Sequence, residues 1–156
     1  MFQDTVASST TRGGGAVRAS EAPEVAVRLV GSLLALAIAA VHVADQGGVS
    51  AMASPGWIGW SYRLIEVGAV LTAVVLLVAR PPWLGWAAGV LLGVGPFIAY
   101  VTSRTVGLPG DSGDVGNWGY WLGTASLVVE AALVVLSAGM LLAWRQRWKA
   151  ATAAAG

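Results

Sequence analysis

Four long apolar runs, separated by short polar breaks, organise the chain; they cover residues 25–44, 57–79, 83–103 and 120–144. A helix needs about 20 mostly apolar residues to cross a bilayer core about 30 Å thick. Each run meets that length, the first least strongly. The pattern predicts an all-α fold: an integral membrane four-helix bundle over residues 25–148. Residues 1–24, with "TTRGGGAVRASEAPE" typical, are rich in Ser, Thr, Gly and Ala. They hold too little apolar surface to offset the entropy of ordering, and are expected to form a disordered cytoplasmic tail. Residues 149–156 form a short C-terminal tail. A rival reading takes the first run as a secretory signal, because a positive tail precedes it and "AIAA" offers small residues for cleavage. The long preceding tail and the length of the run argue against it. Cleavage would leave three spans.

Composition agrees with a membrane class: the 156 residues are 56% hydrophobic and 11% charged, against about 25% charged in soluble domains. The net charge of +1 supplies no basic field for nucleic acid. With no Cys, disulfides, thiolate metal sites and cysteine nucleophiles are excluded. Arg12, Arg18 and Arg28 precede or begin the first run, Arg80 lies in "ARPPW", and Arg145, Arg147 and Lys149 follow the fourth. The other two connections carry only Arg104. Positive charge gathers on the cytoplasmic side, so both termini are expected inside and the two Gly-rich loops outside, in the cell membrane. The eight Trp fall in pairs at span ends, 57/60, 83/86, 118/121 and 144/148, where belt anchoring at headgroup depth is expected.

Gly85, Gly89 and Gly93 make a smooth stripe on the third span, suited to close helix packing within the bundle or to self-association. Gly119 and Gly123 offer a shorter version on the fourth. Pro96 interrupts the third span and is tolerable where neighbours satisfy the freed carbonyl.

Ionisable residues within spans are costly and are default candidates for function. They are His42, Arg63, Glu66 and Glu130, with Asp45 and Arg104 at the rims. At about 1.5 Å per residue, His42 lies about 21 Å from the inner rim and Glu66 about 13 Å below Trp57. Tyr62 and Tyr100 lie at similar heights. Arg63 with Glu66 along one helix, or Asp45 with Arg104 between helices, would form a structural ion-pair network. The alternative is an outward polar pocket with His42 or Glu66 as ligand or proton acceptor. Glu130, about 18 Å below Trp118, has no evident cation at its depth. It either holds a proton, bonded to a carbonyl or to a Ser or Thr, or serves as a proton or cation site.

In the outer loop "SRTVGLPGDSGDVGNWGYWLG", residues 103–123, "GLPG" predicts a turn around Pro109. Asn117 is expected to cap the fourth helix, and Trp118 to join the belt. Asp111, Asp114 and Asn117 are spaced by three, but the loop lacks the ligand count of a calcium motif, so no metal is expected. The pieces "LIEVGAVLTAVVLLV", "GVGPFIAYVTSRTVGLPG" and "DVGNWGYWLGTASLVVE" resemble a group of small four-span membrane proteins of actinobacteria. Their pattern is close to SR-x-x-GLP followed by D-(I/V)-GNW-x-EPLG-x-x-SL-x-VE. The resemblance spans residues 57–130 and marks Glu66, Pro96, Ser103, Arg104, Gly107, Leu108, Pro109, Asp114, Gly116, Asn117, Trp118, Gly123 and Glu130. Where that pattern has Glu-Pro, this chain has Tyr120 and Trp121. The resemblance implies the four-span fold and no particular activity.

No nucleophile elbow, phosphate loop, zinc motif or acid pair is present, so catalysis and a cofactor are not expected. One His excludes a bis-His haem within a monomer. The leading expectation is an accessory or interaction subunit whose partners are membrane lipids and another membrane protein or a second copy. The alternatives are transport of protons, a cation or a small solute through the outward pocket, and quinone or lipid binding near Tyr100 and His42.

Overall fold

The computed structural model describes the backbone of residues 12–156 and side chains from residue 23 onward. It is an all-α bundle of four helices: α1 (Arg12–Asp45), α2 (Gly56–Val78), α3 (Trp83–Thr105) and α4 (Trp121–Ala154). Among the described residues there is no sheet, only an isolated bridge between Leu108 and Asp111. Every helix contains a segment long and apolar enough to cross a membrane, that of α1 being Pro23–Asp45. The four apolar runs therefore map one to one onto the four helices, and α2 and α3 agree with their runs to within two residues.

The ends differ from expectation in three places. Helix α1 starts at Arg12, inside the expected tail; the part of that tail before residue 12 lies outside the described residues. Once a helix is anchored, extending it by a turn or more costs far less than starting one; Ala16, Ala19 and Ala22 favour the extension, against the cost of Gly13, Gly14, Gly15 and the internal Pro23. Helix α4 likewise runs through the expected C-terminal tail to Ala154. Its start is later than expected: Tyr120, not Asn117, holds the N-cap position, with no side-chain cap bond. Asn117 is still within the turn, its N–H donating to the Asp114 carbonyl at 3.0 Å, and Gly116 before it has φ 81°.

Adjacent helices run antiparallel. Ser32 of α1 donates to the Ala73 carbonyl of α2 at 3.1 Å near one end, and Gln46 reaches Glu66 near the other. Helix α1 packs on α2 and α4, and α3 on α4 and α2, with α1 and α3 nearly diagonal. Both described ends of the chain thus lie at the end of the bundle that carries the short turn between α2 and α3. The two longer loops, between α1 and α2 and between α3 and α4, share the opposite end.

The interior mixes small and polar residues with a few large apolar ones, while most large apolar side chains face outward. Ala35, Ile38, Ala69, Ala73, Leu92 and Leu133 form the central cluster, with Ser32, Thr72 and Ser137 also buried. Leu64, Leu91 and Val135 are each more than 70% exposed on the outside. Water would oppose that arrangement, since large apolar patches on soluble proteins are rare; hydrocarbon favours it.

The glycine stripe is consumed inside the bundle. A Cβ on Gly85 would stand 2.9 Å from Leu76 Cα of α2, and one on Gly93 would stand 2.8 Å from the Glu130 carbonyl oxygen of α4. Gly89 lies against Ser137. Gly123 of α4 lies against the Tyr100 ring, whereas Gly119 faces open space. Trp86 departs from the belt pattern: it is 2% exposed and its ring lies where a Cβ on Gly31 would meet it at 2.9 Å. Gly31 thus makes room in the core for a tryptophan that spacing alone would put at the surface. Arg28 also has a packing role. Its guanidinium donates to the carbonyls of Leu76 and Ala79, each at 3.3 Å, and so satisfies acceptors that the C-terminus of α2 leaves open.

Candidate functional site

The long-loop end of the bundle opens into a cavity of about 420 Å³ with walls from all four helices, a size within the range of small-molecule sites. Glu130 is the farthest along α4 of the residues that line it. Glu130 is nine residues into α4, about 14 Å along the helix. Beyond it the Leu133, Ala73 and Ile38 cluster fills the bundle.

The floor is made by His42 and Glu130. Ser126 Oγ donates to Glu130 Oε1 at 2.5 Å, one helical turn away. His42 Nε2 stands 4.0 Å from the same oxygen, close enough for charges to interact but too far for a hydrogen bond. Glu130 Oε2 has no partner, although Glu130 is 1% exposed. On the far side of the His42 ring, Nδ1 lies 2.9 Å from the Ile38 carbonyl. A carbonyl has no proton to give, so Nδ1 is the donor and the neutral ring keeps its lone pair on Nε2. The floor therefore presents two acceptors side by side.

The expected depth of Glu130 left it without a companion, yet His42 meets it. Side chains on a helix lean toward its N-terminus. Helix α1 climbs toward the long-loop end and α4 descends from it, so His42 leans down as Glu130 leans up. Their Cα heights differ, and their side chains converge.

The upper wall carries Arg104, 5% exposed. Its guanidinium forms an ion pair with Asp114 of the outer loop and lies over the Tyr100 ring, 4.6 Å from the centroid. Arg104 Nε and the Tyr100 hydroxyl are both buried without a partner. The anticipated pairing of Asp45 with Arg104 does not form. Asp45 instead accepts from the Tyr62 hydroxyl, whose ring meets His42 edge-on at 5.4 Å. Arg104 sits at the end of α3 directly before the loop, and the loop folds Asp114 back to it, which a more distant helix cannot match.

Arg63 and Glu66 pair as expected, Nη1 to Oε2 at 2.6 Å. They do not line the cavity. Arg63 also donates to the carbonyls of Val49 and Ala51, at 2.5 and 2.6 Å, which ties down the loop between α1 and α2. Gln46 donates to the other Glu66 oxygen. Arg63 and Glu66 form a structural brace beside the pocket, which Gln46 joins to the lining.

The outer loop forms the rim. Leu108 and Asp111 exchange backbone hydrogen bonds at 2.8 Å around Pro109 and Gly110. Gly110 has φ 78°, as the third position of a turn with Pro second requires. Trp57 Nε1 donates to the Pro109 carbonyl at 3.0 Å and fastens the rim to α2. Trp118 rests edge-on against Tyr100 at 6.1 Å. Asp114 is committed to Arg104, so Asp111, Asp114 and Asn117 do not combine into a cation cage. Among the described residues no group of three His, Cys, Asp or Glu side chains is placed to hold a metal.

Of the intramembrane candidates, His42, Asp45, Arg104 and Glu130 line the cavity. Sequence reasoning missed Gln46, Ser126 and Tyr120, which line it too. Ser126 was within reach, because it lies four residues before Glu130 and hence on the same helix face. Nothing local marks Gln46 or Tyr120. Comparison of the chain with protein families, with curated proteins and with solved structures finds no match.

Proposed function

We propose that this small hydrophobic bundle is a multi-pass membrane protein that admits a small polar solute through its long-loop end and conducts or transports it. The observation that carries the reading is a cavity walled by all four helices, with the buried side chains of Glu130 and Arg104 both on its lining. Polar side chains buried at membrane depth need a reason, because desolvating them is costly. Here His42, Ser103, Arg104, Ser126 and Glu130 are buried and line one space. The accessory-subunit reading rested on short loops, the glycine stripe and the lack of a chemical motif. A pocket lined by polar side chains favours the transport reading, and the stripe is already covered by α2 and α4.

Orientation follows from charge. Arg28, Arg80, Arg145, Arg147 and Lys149 belong to the short-turn end, which the positive-inside tendency assigns to the cytoplasm. The pocket then opens outward. Its floor is sealed from the short-turn end by Leu133, Ala73, Ile38 and Trp86, so passage requires that these separate when the pocket is filled.

Reconstituted vesicles test the reading. With a panel of small polar solutes, the wild-type chain is expected to give a solute-dependent flux. Glu130→Gln is expected to abolish it while expression and elution stay unchanged. Flux that survives the substitution, or neither binding nor flux for any solute, overturns the proposal.

A further inference from the structure

We infer that the solute is a protonated amine with N–H groups on its nitrogen, held at the floor by Glu130 and His42. This rests on the pocket reading above and names the class of molecule that the pocket takes.

The first argument is charge. Arg104 is paired with Asp114. That leaves Asp45, Asp111 and Glu130 on the lining with no Lys or Arg of the described residues to oppose them. A low-dielectric cleft carrying one sign of charge concentrates the opposite sign, so an anion is disfavoured and a cation drawn in.

The second argument is hydrogen bonding, and it is independent of the charge count. Ser126 donates to Glu130 Oε1, which leaves Oε2 as the open acceptor, buried and unpartnered. The bond from His42 Nδ1 to Ile38 leaves Nε2 as the second. Two adjacent acceptors with no donor between them suit an ammonium group, which carries only donors. A quaternary ammonium has the charge but no N–H to give.

The third argument fixes the rest of the molecule. Arg104 Nε and the Tyr100 hydroxyl, buried and unpartnered higher in the same pocket, offer donors. The body of the solute therefore carries an acceptor, such as a hydroxyl or carbonyl oxygen. Tyr62, Tyr100, Tyr120 and Trp57 on the walls supply apolar and aromatic surface for a carbon skeleton.

Four probes that share one aromatic body separate the alternatives: tyramine, its N,N,N-trimethyl derivative, the neutral alcohol tyrosol, and 3-(4-hydroxyphenyl)propionate. The readout is the thermal midpoint of the full chain in detergent, titrated with each. Tyramine is expected to raise the midpoint with saturation and the other three to fall at least tenfold short in affinity. Glu130→Gln is expected to weaken tyramine about 10- to 100-fold, as loss of a charge-assisted hydrogen bond does. The probes are compared on the wild-type chain, so the result does not depend on the variant folding. Equal or tighter binding of the propionate, the alcohol or the trimethyl compound overturns the amine assignment and leaves the pocket reading standing. Silence of all four, with binding of some other solute from the wider panel, does the same. Silence of every solute overturns both.

Discussion

Gly93→Leu is expected to destabilise the bundle by about 3 kcal/mol or more, at the upper end of what overpacking costs. A Cβ at this position stands 2.8 Å from the Glu130 carbonyl oxygen and 2.6 Å from Val134 Cγ2. One of these obstacles is backbone, so no rotamer change relieves it, and α3 and α4 must part. The same separation shifts Glu130, so solute binding is expected to fail together with stability. Gly95→Leu is the matched control. Two residues away on the same helix, it has nothing within 4 Å of its Cβ, and the change there is expected to stay within about 0.5 kcal/mol, as for other surface substitutions. The check is the unfolding midpoint of each variant in the same micelles. Equal midpoints for the two would show that the α3–α4 approach is not as close as described. A Gly93→Leu chain that kept its midpoint but changed oligomeric state would instead move the stripe to an interface between copies.

Arg63→Met is expected to cost about 3 kcal/mol, the lower end for removing one partner of a buried ion pair. The lower end applies because the Arg63 side chain is 23% exposed. The loss is larger than one contact suggests. Glu66 is 8% exposed and would keep only Gln46, while the carbonyls of Val49 and Ala51 would lose their donor. Arg63→Lys is expected to restore less than half, since an ammonium cannot span three acceptors as a guanidinium does. Adding Glu66→Met to Arg63→Met is expected to recover more than half of the loss by removing the stranded carboxylate. A double-mutant cycle on unfolding midpoints measures this coupling. Simple additivity of the two single substitutions would mean that Glu66 does not depend on Arg63. Because Arg63 and Glu66 do not line the cavity, solute affinity in the double variant is expected to remain near wild type at temperatures where it is folded.

Both predictions concern features that the sequence shows in part. The glycine spacing identifies a smooth face on α3, but not which helix covers it. The spacing of Arg63 and Glu66 identifies an intrahelical pair, but not the two loop carbonyls that make the arginine hard to replace. Conversely, Trp86 shares the spacing of the surface tryptophans and lies in the core. What separates it from them is Gly31 on a different helix, invisible to any reading along one segment. The pairing of Arg104 with Asp114 instead of Asp45 has the same character: the fold of an irregular loop, not its composition, chose the partner.

The sequence alone determined what depends on short-range regularity. Four apolar runs of membrane length set the number of helices and the bounds of α2 and α3, the Gly–Leu–Pro–Gly run set the turn, and the buried ionisable residues marked where chemistry could sit. Tertiary structure alone decided which of those residues meet. His42 and Glu130 lie on helices of opposite direction, and the lean of each side chain toward its own N-terminus closes a gap that counting residues leaves open. Helix rotation, the direction of each Cα–Cβ bond and the path of the loops act across the bundle. They fix a floor of two acceptors beneath a wall of donors, because each helix can bury its costly groups only against what its neighbours present.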